Sequence, residues 1–314
     1  MTPIGELTRY ITDKTHFASL SDFAQFAIAY LDFVEQGLQA RIVCQNETNY
    51  QFFQYREDCA YNISRPVNMD IFGESRTFKK TISDFLNVLK TIKAGKRPKD
   101  EMRLAFTSAI YTFQQSIGAA LDALPASQAN QAKKINGDLF ERLIRLVFSA
   151  AGLECSTGII PVPVKDDNGN ELFKMNYQHD LIVRSAGEIK LLGSIKTSSK
   201  DRIDKVFVDK LLFSRLSGQS LPYIAIFLND VQRSKSKTLN SHRINSTFLS
   251  GHFKAYSIRL APLDGVFYCD LRPNMKADPF LAQRIKGIDE LFFGELPRLG
   301  LAPLSKRVPT NDRA

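Results

Sequence analysis

The chain has 314 residues, 44% hydrophobic and 24% charged, which excludes a disordered or fibrous polypeptide and leaves room for a large buried core. Lys plus Arg number 42 against 33 Asp plus Glu, so the net charge is +9. That balance favours a polyanionic partner, nucleic acid or an anionic membrane, without choosing between them.

The first 125 residues read as mainly helical. Phe23, Phe26, Ala27, Tyr30, Leu31 and Val34 fall at helical spacing, and Ser19 with Asp22 offers a start signal. Residues 41–56 alternate enough for a strand or hairpin. Residues 79–93 and 101–123 predict two more amphipathic helices, joined by the basic linker KAGKRPKDE. The polar stretch 125–135 marks a subdomain boundary. Beyond it Asn136 is a suitable N-cap for a helix over 137–151, ended by Gly152. Strands are expected near 157–163, 177–185 and 188–197, then a helix over 203–216 stopping at Gly218. Further strands are expected at 222–228, 254–260 and 265–271. The order predicts a mixed α/β core with a helical N-terminal part.

No apolar run approaches the roughly 18 to 20 residues that span a bilayer, and the opening MTPIGELTRYITDK lacks the regions of a signal peptide. Cys44, Cys59, Cys155 and Cys269 form no CxxC pair, which argues against structural zinc and a disulfide scaffold. No phosphate-binding glycine loop is present. The expectation is a cytoplasmic protein.

Three stretches carry chemistry: NGDLFERLIRLVF at 136–148, HDLIV at 179–183 and GSIKTSSKDRIDKVFVDK at 193–210. Asp180 opens an apolar strand, Ala186-Gly187 can turn the chain, and the next strand runs from Glu188 to Lys196. A hairpin about that turn returns Lys196 beside Asp180. Such a pair can hold a divalent metal and a nucleophilic water against a phosphodiester. In isolation, an Asp and a Lys at strand ends are more often solvated surface residues. Glu188 and Lys190 share the E-x-K spelling, but right after the turn they lie far from Asp180.

Lys200, Asp201 and Arg202 lead into the next helix. In a major groove, Arg donates twice to guanine, Asp accepts from cytosine N4, and Lys meets a guanine or a phosphate. A solvated basic helix start, with Asp201 near the helix dipole, is the alternative. Arg202 and Asp209 are two turns apart, on one helix face. Glu141 stands at the edge of the stripe formed by Phe140, Leu143, Ile144, Val147, Phe148 and Ala151, where an ion pair with Arg145 is its plainest use. Arg233, Lys235 and Lys237 make a basic loop suited to phosphates.

Together Ser194-Ile195-Lys196, Lys200-Asp201-Arg202 and Asp209, thirteen positions after the lysine, resemble a group of type II restriction endonucleases. These read CCGG, CCNGG or CCWGG cores, have an EcoRII-like catalytic core and belong to the PD-(D/E)XK superfamily. In that group a small residue stands two before the lysine, and a compensating acid moves to the following helix. The resemblance covers about residues 136–230. It departs at His179, where the motif has Pro, and at Asp209, where the acid is usually Glu.

The resemblance implies a central mixed β-sheet flanked by helices over 126–314. The mainly helical subdomain 1–125 is left for DNA contacts, flanking base pairs or dimerisation. It implies Mg²⁺-dependent, site-specific double-strand cleavage leaving 5′-phosphates. Asp180 and Asp209 would bind metal, with Lys196 and Glu141 completing the catalytic set. Lys200, Asp201 and Arg202 would read bases, and Ser198, Ser199, Arg233, Lys235 and Lys237 would hold the DNA backbone. The partners are double-stranded DNA, a second copy in a homodimer and a cognate methyltransferase acting on the same site; no membrane is involved. A non-cleaving DNA-binding protein and a structure-specific repair nuclease are the other functional readings.

Overall fold

Ser19 starts the second helix as its spacing predicts: Ser19 Oγ accepts from Asp22 N, and the Asp22 carboxylate accepts from Ser19 N in return. The computed structural model describes residues 3–55, 63–200, 202–234 and 241–301. Among the described residues four α-helices build the N-terminal part: α1 (Ile4–Thr12), α2 (Leu20–Gln36), α3 (Ser75–Lys93) and α4 (Arg103–Leu121). A small antiparallel sheet joins them, β1 (Ala40–Val43), β2 (Tyr50–Gln54) and β3 (Val67–Asn68). The hairpin expected over 41–56 is thus β1–β2. Among the described residues, no helix is long and apolar enough to cross a membrane.

Helix α5 spans Ala129–Ala150, which corrects the expected start. Asn136 is an interior residue, buried, and its side-chain oxygen accepts from Gln114 Nε2 at 2.8 Å. Ala, Gln and Lys in ANQAKK favour helix enough to carry it through Asn136 and Gly137. The apolar stripe is as predicted, with Phe140, Leu143, Ile144, Val147, Phe148 and Ala151 all buried.

The main sheet contains β4 (Glu154–Lys165), β5 (Glu171–Ser185), β6 (Glu188–Ser198), β7 (Tyr223–Asn229), β10 (Gly265–Tyr268) and β11 (Ile285–Gly287). Their order is β11-β10-β7-β6-β5-β4. The last three strands of that order are antiparallel neighbours; β6, β7, β10 and β11 run parallel. Ala186 and Gly187, both at positive φ (53° and 81°), make the two-residue turn between β5 and β6. Helix α6 (Ile203–Ser217) is the crossover that a parallel β6–β7 pair requires, and Gly218 at φ 68° ends it. Pro161 and Pro163 sit in β4, an edge strand of the sheet, where a missing donor is tolerated.

A second correction concerns 254–260. The segment is helical, within α7 (Ser250–Arg259), with Phe253 and Ser257 buried at i, i+4 spacing and Ile258 exposed. Apolar residues at 253, 256 and 258 fit both periods over so short a window, and packing of Phe253 on Phe207 of α6 selects the helix.

Two apolar layers cover the sheet. One unites α1 to α5 with Leu181, Val183, Leu191, Ile195 and Ile226. The other packs α6 and α7 on Tyr177, Ile182, Leu192 and Phe227. A short ribbon, β8 (Val231–Arg233) with β9 (Ile244–Ser246), leaves the sheet just after β7.

A buried polar network ties the N-terminal sheet to the end of β10. Asp270 accepts from Tyr50 Oη and Asn68 Nδ2, both at 2.8 Å. Burial pushes its carboxyl up to about 6, although those two hydrogen bonds favour ionisation. The folded chain therefore holds this proton more tightly than the unfolded chain. The stabilisation is full below about pH 4 and is lost as pH rises through about 6. Asp270→Asn removes that dependence. The unfolding free energy of the variant minus that of the wild type should climb by about 2 to 3 kcal/mol between pH 4 and 7. A difference flat with pH in urea titrations contradicts this.

Candidate active site

Tyr177, His179, Leu181 and Val183 share one parity on β5, yet the first two face α6 and the last two face α5. The register with β4 shifts between them, from Ser156 opposite Ile182 to Gly158 opposite His179. Such an irregularity re-aims side chains, and here it falls at Asp180. Thr157 Oγ1 donates to His179 O at 2.8 Å and fixes the bend.

Asp180 accepts from Ile195 N at 2.9 Å and from Lys196 Nζ at 2.5 Å, both on Oδ2. The β5–β6 hairpin thus brings Asp180 and Lys196 together as the sequence predicts. Lys196 Nζ also lies 3.3 Å from Glu141 Oε1 of α5. One ammonium therefore joins carboxylates from two other elements. Burial and the Asp180 charge push the Glu141 carboxyl up, while Lys196 and Arg145 pull it down. Glu141 pairs with Lys196 and makes no close ion pair with Arg145, the alternative use that its i, i+4 spacing offered. Arg145 donates instead to Asp180 O at 3.2 Å, a role that the sequence reading missed. Glu188 and Lys190 pair with each other at 2.5 Å, at the turn end of the hairpin.

Asp209 stands apart. Lys205 holds both its oxygens, at 2.5 and 2.8 Å, and among the described residues no bond joins it to Asp180 or Lys196. Its charge nonetheless acts on His179, Tyr177 and Tyr223, and that of Asp180 on His179 and Tyr223, so the two acids share a neighbourhood. Ser194, two before the lysine, is buried with its hydroxyl 3.4 Å from Tyr223 Oη. His179 is buried against Tyr177, Phe213 and Tyr223; burial lowers its pKa and favours the neutral ring.

Among the described residues no three His, Cys, Asp or Glu side chains are gathered as a cation site. The donor chemistry still suits Mg²⁺, which takes one or two carboxylates and completes its shell with water and phosphate. Asp180 Oδ1 has no protein partner among the described residues, and Glu141 is beside it through Lys196.

The loop after β6 is laced to the ribbon. Lys200 Nζ donates to Gln232 Oε1 at 3.0 Å, and the Ser198 and Ser199 hydroxyls lie 3.5 and 3.3 Å from Thr247 Oγ1. Ser199 is buried, which corrects its expected role: the hydroxyl braces the loop and is not presented to a DNA backbone. Arg202 is exposed immediately before α6. Arg233 is exposed, its guanidinium 5.8 Å from the Phe52 ring centre. Asp201, Lys235 and Lys237 lie outside the described residues. Gln232 stands in a segment that the sequence predicts as a basic loop and Thr247 carries no signal of its own, so their partners depend on a ribbon that local pattern does not show.

No protein-family model and no curated protein matches the chain. Among solved structures, it is similar to the type IIP restriction endonuclease Kpn2I, with a TM-score of 0.67 and 14% identity over 95% of this chain and 97% of that one. The restriction endonuclease PspGI bound to substrate DNA gives 0.41 and 12%, over 71% of this chain and 91% of that one. The AgeI–DNA complex gives 0.34 and 13%, over 67% and 84%. The Kpn2I match shows a restriction-endonuclease fold over almost the whole chain.

Proposed function

We propose that the chain is a type II restriction endonuclease that makes Mg²⁺-dependent double-strand breaks at a C:G-rich site and leaves 5′-phosphates. The observation that carries this reading is Lys196 Nζ between the Asp180 and Glu141 carboxylates, three groups delivered by β6, β5 and α5. Asp180, with Asp209 from α6, would hold Mg²⁺, which when bound supplies positive charge to the scissile phosphate and acidifies water. Lys196 orients the attacking water and meets the charge that grows on the phosphate. Glu141 takes up the water proton, a role for which burial has raised its basicity. Arg145 holds the Asp180 backbone in place.

Lys200 and Arg202, with Asp201 between them, read the C:G pairs of a CCGG-, CCNGG- or CCWGG-type core. Ser198 and Arg233 contact phosphates, as do Lys235 and Lys237. Cutting both strands of a near-palindromic site calls for a homodimer. The exposed Phe173 and Met175 on the long β4–β5 hairpin offer apolar surface for such a contact. A cognate methyltransferase acting on the same site would protect host DNA in the cytoplasm.

The test is incubation with unmethylated bacteriophage DNA, with Mg²⁺ or with EDTA. Discrete fragments with Mg²⁺ alone are expected, and sequencing their ends gives the site. A Mg²⁺-dependent smear instead means a structure-specific or general nuclease. Binding without cleavage means a DNA-binding module. Arg202→Ala separates reading from cutting. Loss of its two bonds to guanine should lower discrimination at one C:G pair by about 1 to 3 kcal/mol in competition cleavage. An unchanged preference removes Arg202 from the reading set.

A further inference from the structure

The β8–β9 ribbon is fixed on two sides. Its inner face packs Val231 and Ile244 on Cys44, Tyr50 and Phe52 of the N-terminal sheet region. Asn46 then acts as a strand would: its Nδ2 donates to Ile244 O and its Oδ1 accepts from Ile244 N, both at 2.9 Å. On the opposite side Gln232 receives Lys200 of the proposed reading loop.

Cross-strand partners share a face. Gln232 pairs with Asn245, and Ser234 N donates to Arg243 O one step further along. The outer face therefore presents Gln232, Asn245, Ser234 and Arg243 beside Lys200. Asn245 is exposed, and among the described residues its side chain makes one bond, from Nδ2 to Ser234 Oγ at 3.2 Å. One amide hydrogen and the whole Oδ1 remain free among the described residues. That donor and acceptor match N7 and the N6 amino group of adenine in a major groove, which is wide enough for a two-stranded ribbon.

We propose that the outer face of this ribbon is a second reading surface on which Asn245 recognises an adenine–thymine pair flanking the C:G core. Arg243 holds an adjacent phosphate, and the N-terminal hairpin sets the ribbon's position through Asn46. The inference rests on the proposed function. It gives the N-terminal part a positioning role and places the flanking readout on the ribbon it supports.

The experiment uses the full chain with Mg²⁺ on duplexes whose pairs flanking the cleaved core are randomised, and sequences the cut ends. Wild type should favour adenine–thymine at one flanking position by about tenfold. Asn245→Ala should flatten that preference to within about twofold while cutting at the same core, with an unchanged thermal midpoint. Asn46→Ala should weaken the same preference without altering the core sequence. A wild type that cuts a C:G core with no flanking preference overturns the inference and leaves the proposed function standing. So does an Asn245→Ala variant with the wild-type flanking profile. Absence of discrete cutting by the wild type overturns both.

Discussion

Lys196→Ala lowers the single-turnover cleavage rate by about a thousandfold, on the order of 4 kcal/mol, and leaves site binding in place. The magnitude follows from the position of the ammonium. Lys196 Nζ contacts Asp180 Oδ2 at 2.5 Å and Glu141 Oε1 at 3.3 Å. Both carboxylates are largely screened from water, so no solvent dipole replaces the lost charge at low reorganisation cost. The Glu141 carboxyl loses the stronger of the two groups that pull it down, and burial with the Asp180 charge then raises it further. Lys196→Arg keeps a positive charge but spreads it over a planar fork, and recovers only part of the rate. Cleavage is followed in Mg²⁺ with enzyme in excess, and binding by gel shift without metal. An alanine variant that cuts within tenfold of wild type removes Lys196 from the chemistry.

Phe292→Ala destabilises the chain by about 4 kcal/mol, and does so in a single unfolding transition. Phe292 is buried, with its ring 5.1 Å from Phe106 of α4 and 5.0 Å from Phe148 of α5. Truncation opens a cavity between elements that are each pinned elsewhere, α4 by the N-terminal helices and α5 by the sheet, so neither can close on it. Since the chain contains no tryptophan, tyrosine fluorescence and far-ultraviolet circular dichroism are the probes. Both should shift together in urea. Two separated transitions mean that residues 1–125 and the remainder fold independently, and that the common apolar layer contributes little.

The β5–β6 hairpin was legible because its determinants are local. Ala186-Gly187 fixes the turn, and a hairpin about it returns the end of β6 to the neighbourhood of Asp180, although the register shift between Val183 and Arg184 is not a local signal. Helix α6 was legible for the same reason, bounded by Arg202 and Gly218. The start of α5 was not, because Asn136 is as good an N-cap as it is an interior partner for Gln114, and Gln114 is distant in sequence. Helix α7 was misread where a seven-residue window fits either period. The bend at Asp180 depends on how many residues of β4 face β5, which no single strand records. The lacing of Ser198 and Ser199 to Thr247, and of Asn46 to Ile244, lies beyond local reading altogether, since each bond closes a loop of dozens of residues.

That lacing also bears on how the chain could change its target. The lysine at 196 and the loop at 198–202 are one uninterrupted stretch, clamped at Ser198 and Ser199, so a substitution that shifts the loop drags the lysine with it. Variants selected for a new core sequence will tend to arrive with slowed turnover, and second-site repairs will cluster near Thr247. On the outer face of the ribbon Gln232 is tied to that loop through Lys200, but among the described residues the Asn245 side chain bonds only Ser234. A laboratory lineage pressed to lengthen or alter its site therefore has an easier path through positions 243 and 245 than through 200 and 202.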